Sequence, residues 1–133
     1  MQFKNDSKKE DEINLDQFSG SEHYYKSSMF AKGIYHTDGV QYLAEKAKAF
    51  WLIDLICSWQ TKASVRSQPF QVWKLTVKDQ SAVATCEDGN GKKLASQRIE
   101  YTDFPKDEIT IYVEDGSIDG KTNAKIMMLP SER

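Results

Sequence analysis

The chain is poor in the residues that most often announce chemistry. It has two cysteines and two histidines. Cys57 falls in a predicted helix and Cys86 in a predicted strand, with no metal-type spacing, so both read as buried small hydrophobes rather than zinc ligands or a disulfide. His23 and His36 share no paired ligand spacing either, and no metal or cofactor is expected. A reducing, cytoplasmic setting fits the thiols. Long apolar runs are absent: the densest stretch, Ala47 to Trp59, is interrupted by Lys48, Asp54 and Ser58, short of the roughly 20 residues a membrane helix needs. No membrane association is expected, and the first residues lack the apolar core of a secretory signal. Neither sign of charge dominates, with 18 basic and 20 acidic residues and a formal net charge of −2. That balance excludes a polybasic nucleic-acid surface and an extended acidic mimic of DNA.

What the chain does have is aromatic bulk: three Trp, six Tyr and six Phe supply enough buried area for one core without a metal or disulfide staple. Residues 1–14 mix charged and amide side chains with little to bury and are expected to be a disordered tail. A single domain is expected over 15–133. Its clearest local signal is Asp88-Gly89-Asn90-Gly91, a tight hairpin between two segments of period two. A strand is expected around Lys32 to His36, followed by a helix over Val40 to Ala47 capped by Thr37 or Asp38. A second helix, Ala49 to Lys62, leaves only Asp54, Ser58 and Lys62 as a polar strip and should be the buried centre. Alternation then marks strands at Phe70 to Val77, Ser81 to Glu87, Lys93 to Tyr101, Ile109 to Glu114 and Ile126 to Leu129. The order β-α-α-β-β-β-β-β predicts an α+β domain, two consecutive helices packed on one face of an antiparallel meander.

Several segments imitate known sites and fail at a defined position. Asp115, Ser117, Asp119 and Gly120 resemble half a calcium loop, yet the closing position is Ile126 instead of a bidentate carboxylate. Gly116 to Thr122 resembles a phosphate loop with one residue too few between its glycines and a strand where a helix should follow. A hairpin turn accounts for both. His36 beside Asp38 at a helix start is the best acid/base candidate, because a carboxylate neighbour can hold an imidazole in one tautomer. Asp54 in an apolar helix is either solvated or partnered. Together His36, Asp38 and Asp54 form the ligand-binding or enzymatic alternative. Lys92, Lys93 and Arg98, with Trp73, Lys74 and Tyr101 as stacking neighbours, form the nucleic-acid alternative.

The segments Phe18-Ser19-Gly20-Ser21-Glu22, Thr37-Asp38-Gly39-Val40-Gln41-Tyr42-Leu43-Ala44-Glu45, Phe70-Gln71-Val72-Trp73-Lys74-Leu75, Cys86-Glu87-Asp88-Gly89-Asn90-Gly91, Glu100-Tyr101-Thr102-Asp103-Phe104-Pro105 and Leu129-Pro130-Ser131-Glu132 occur in this order. In these segments the chain resembles a family of small uncharacterised bacterial and cyanobacterial proteins, a domain of unknown function. The resemblance implies a shared fold and no reaction. Members of this kind on plasmids and other mobile DNA imply an accessory or anti-defence role.

Elimination leaves a non-catalytic binding module with a protein partner, or a second copy of itself, as the expected function. Tyr24, Tyr25, Trp73, Tyr101, Asp115 and Asp119 are the expected contact residues, since exposed aromatics dominate protein interfaces.

Overall fold

A computed structural model describes residues 13–29, 32–118 and 120–133, with the backbone alone for Lys121 and Thr122. Most of the tail expected at 1–14 lies outside the described residues, but Ile13 is buried in the core. Two strands come first, β1 (Tyr24–Lys26) and β2 (Ile34–Thr37). Three helices follow, α1 (Asp38–Lys46), α2 (Phe50–Trp59) and the single turn α3 (Ala63–Arg66). The rest is sheet: β3 (Phe70–Lys78), β4 (Ser81–Asp88), β5 (Lys93–Ile99), β6 (Glu108–Ile118) and β7 (Lys121–Met128), closed by a 3-10 turn at Pro130–Glu132.

The α+β class is as expected; the antiparallel meander is not. The seven strands form one mixed sheet in the order β1-β2-β7-β6-β3-β4-β5. β2 and β7 run parallel, with Tyr35 opposite Ile126. β6 leaves the far edge and returns to pair with β3, Trp73 opposite Ile111. Strands β3 to β6 therefore make a Greek key, whose fourth strand lies beside its first. The cause lies in the connections. Asp79 and Gln80 turn β3 tightly into β4, both at positive φ, and Asp88 accepts from the Asn90 and Lys92 N–H groups (2.8 and 3.0 Å) to close the next turn. Between β5 and β6 the chain instead crosses the sheet end, pinned by Thr102 N–H on the Gln80 carbonyl (2.8 Å) and by buried Phe104. The hairpin turn expected around Gly116 to Thr122 is short, and Asp115, Gly116 and Ile118 continue the β6–β7 ladder.

Helix α1 starts where expected. Thr37 Oγ1 accepts from the Val40 N–H at 3.4 Å, a side-chain cap for an otherwise unpaired donor. The helix stops at Lys48, whose φ is +53°, and Ala49 N–H reaches back to the Ala44 carbonyl at 2.9 Å. This is a left-handed C-terminal closure with lysine where glycine is usual. It separates α1 from α2.

All three helices meet one face of the sheet. Gln41 of α1 reaches His36, Leu52 and Ile56 of α2 lie with Trp73 and Ile111, and the Val65 carbonyl of α3 accepts from Gln71. Pleating puts Gln71, Trp73, Leu75, Ala84, Cys86, Ile111, Val113 and Met127 on this side, all buried. The polar group under α2 and α3 is fully satisfied. Gln60 and Gln71 exchange amide hydrogen bonds at 2.8 and 2.9 Å, and Trp73 Nε1 donates to Gln71 Oε1 at 2.9 Å.

Candidate functional site

Most polar side chains near the start of α1 are consumed in holding it. Glu132, from the 3-10 turn, accepts from Thr37 Oγ1 (2.6 Å), Gly39 N–H (3.0 Å) and Leu129 N–H (2.9 Å). A carboxylate here also opposes the positive end of the helix dipole. Asp38 faces the other way and accepts from Glu22 N–H, His23 N–H and the Tyr25 hydroxyl at 3.0 to 3.3 Å. Burial pushes its carboxyl up, but those three donors outweigh it and hold it below its ordinary 3.8. Ser21 Oγ accepts from the Asp38 N–H in return (2.9 Å). Asp38 thus ties residues 21–25 to the helix.

His36 is 3 % exposed and both ring nitrogens are engaged. Nδ1 meets Ser27 Oγ at 2.9 Å and Nε2 meets Gln41 Oε1 at 2.7 Å, while Gln41 Nε2 donates to Glu45 Oε2 at 2.9 Å. The Tyr25 ring stacks on the imidazole, centroids 5.4 Å apart. Burial lowers the His36 pKa below 6.5 despite the hydrogen bond to Gln41. Ser27 borders a concavity of about 550 Å³, whose other lining residues include Asp54, Cys57, Ser58 and Thr61. His36 and Asp38 do not touch each other; Tyr25 contacts both. Asp54 is exposed and has no hydrogen bond among the described residues, so it joins His36 only across the concavity and through Ser27.

The second candidate is the other face of the sheet. Register places Tyr35, Ile126, Glu114 and Phe70 in one row across four strands, and Met128, Tyr112, Val72 and Glu87 in the next. Phe70 meets Tyr112 edge-on at 5.0 Å, and the Arg133 guanidinium lies 4.3 Å from the Phe70 centroid while bonding Glu114 at 3.2 Å. Tyr112, Glu114, Met128 and Arg133 border a concavity of about 630 Å³. Ile126 is buried here, outside the main core cluster. Its aromatic neighbours stay half-buried.

A family model described as a family of unknown function, DUF6876, matches residues 9–133. The chain belongs to DUF6876. Membership brings no reaction with it, and no curated protein and no solved structure matches the chain. In this DUF6876 chain the segments that carry the sequence resemblance have visible structural work. Ser21, Thr37, Asp38, Gly39 and Glu132 meet at the start of α1, and Gln71 and Trp73 join the buried amide pair.

The predicted contact residues disperse. Trp73 is a correction: it is 3 % exposed on the covered face and presents no indole surface to a partner. Tyr24 and Tyr25 are exposed on edge strand β1, and Tyr101 is 67 % exposed beyond β5. Asp115 pairs with buried Lys125, which also donates to the Gln68 carbonyl at 2.8 Å. Asp119 lies outside the described residues. Lys92, Lys93 and Arg98 are exposed, but Glu87 stands directly opposite Lys93. Ser27, Gln41, Glu45 and Glu132 were missed as site residues; only the Gln41-to-Glu45 spacing of one helical turn gave a signal. No described helix is long and apolar enough to cross a membrane.

Proposed function

We propose that the protein is a binding module whose partner is another protein, seated on the open face of the sheet. The observation that carries this reading is the apolar and aromatic centre of that face, spanning β2, β7, β6 and β3 with no described helix over it. An antiparallel sheet with one wet face ordinarily alternates polar residues outward, and a contiguous apolar patch with a charged rim marks an interaction surface. Tyr, Phe, Met and Arg are the residue types that dominate protein interfaces.

The rim favours protein over nucleic acid, because Lys74, Lys93 and Arg98 alternate with Glu87, Glu108 and Glu114 on one face. Occlusion of a partner surface is the mechanism such a face serves, and an accessory or anti-defence role on mobile DNA accords with it. Edge strand β1 extends the same contact through Tyr24, since its neighbour Tyr25 turns to the helix side against His36. Affinity capture of the tagged chain from its host's lysate, with and without nuclease and across a salt series, tests the reading. A stoichiometric protein recovered in both arms is the expected result. Recovery that disappears with nuclease, or falls steeply with salt, would replace it with nucleic-acid binding.

A further inference from the structure

The chain of side chains from Glu45 to Ser27 has a direction that chemistry fixes. An ionised carboxylate only accepts, so Gln41 must donate its amide N–H to Glu45 and turn its oxygen toward His36. That oxygen only accepts, so His36 carries its proton on Nε2, and its bare Nδ1 accepts from the Ser27 hydroxyl. A serine whose proton is held by an oriented, neutral imidazole is the arrangement of a nucleophile with its general base. Gln41 backed by Glu45 does for the ring what a buried carboxylate does in the familiar triads: it sets the tautomer and stabilises the imidazolium.

We propose that Ser27 is an acyl-accepting nucleophile and His36 its general base, an ester-hydrolysing site separate from the open sheet face. Ser27 Oγ bonds to the ester carbonyl carbon as its proton passes to His36 Nδ1, and the alkoxide leaves with that proton. Water then attacks the acyl-serine and gives a proton to His36, which passes that proton to the Ser27 oxygen as the carboxylic acid is released. The net reaction is ester plus water to acid plus alcohol. Asp54 is the one charged side chain among the described residues lining the concavity, so the class of ester is neutral or cationic. Gln41 and Glu45 are positioning residues.

A neutral alkyl fluorophosphonate tests this on the full chain, since attack forms a phosphorus–oxygen bond to serine and expels fluoride. The expected result is one adduct per chain, mapped by peptide mass to Ser27 and absent from Ser27→Ala. His36→Ala is expected to slow labelling by about 100-fold or more, the share a general base supplies. Because His36 is buried and its loss can unfold the chain, Gln41→Leu is the second variant, checked for fold by circular dichroism. It is expected to lower the maximal labelling rate at least ~10-fold with the probe's half-saturation unchanged, a split that a loosened fold does not produce. No adduct on the wild-type chain, an adduct at another residue, or equal labelling of Ser27→Ala would overturn the proposal.

Discussion

Val72 and Trp73 are neighbours in one strand and belong to opposite worlds. Trp73 lies under α2 with its indole N–H bonded to Gln71, and everything around it is accounted for by packing and hydrogen bonding within the chain. Val72 stands on the uncovered face beside Tyr112, in an apolar patch that gains nothing from the water it meets. The covered face therefore explains why the domain folds, and the open face poses the question of what the domain is for. A face built for stability and a face built for contact respond oppositely to substitution. That opposition can be tested.

The largest effects belong to the covered face. Ile56, fully buried in α2, should cost about 3 kcal/mol on truncation to alanine, the loss of transfer energy plus a residual cavity, measured by urea unfolding. Gln71→Ala should cost about 2 to 3 kcal/mol, because it strands the Trp73 N–H and the Gln60 amide oxygen without partners. The same melts would show a much smaller loss if water entered to replace the amide.

Next in size are changes at the start of α1. Glycine to alanine inside a helix normally stabilises by about 1 kcal/mol; at Gly39 the sign should reverse. A Cβ there would lie 2.6 Å from Glu132 Oε1 and 2.7 Å from Leu129 Cδ1, so Gly39→Ala should destabilise by about 1 to 3 kcal/mol. Acid should weaken the same region. His36 has its pKa lowered from 6.5, so the unfolded chain takes up its proton first and stability declines as pH falls below 6.5 toward the lower folded value. Asp38, held below 3.8, keeps its contribution above that pH and loses it as pH falls further. Urea melts at pH 7 and 5.5 should show the loss from His36, and melts at pH 4 and 2.5 the further loss from Asp38; a flat response across either pair would deny that linkage. Smaller still is Lys48→Gly, which relieves a left-handed lysine and should add about 1 kcal/mol.

How much of this was legible in the residues follows from the range of the forces involved. The Asp88 hairpin, the Thr37 cap and the buried character of α2 rest on neighbours in sequence, and each could be read directly. The Greek key could not, since β6 chooses β3 over β5 through a crossing held by Thr102 and Phe104, contacts between segments far apart in the chain. The side on which Trp73 lies is equally hidden, because alternation tells two faces apart without saying which one the helices cover. The Ser27–His36–Gln41 chain joins the residue that follows edge strand β1, an inner strand and a helix. No spacing announces it.

The open face should be nearly silent in stability. Val72→Lys is expected to change the unfolding free energy by no more than about 1 kcal/mol, because the half-buried site stands opposite Glu87 and the long side chain carries its ammonium out to water. The decisive measurement is that variant's urea melt set beside its affinity capture in the same lysate. A fold as stable as the wild type that no longer retains the protein partner is the predicted result; an equally stable variant that keeps the partner would contradict the assignment of the open face as the binding surface.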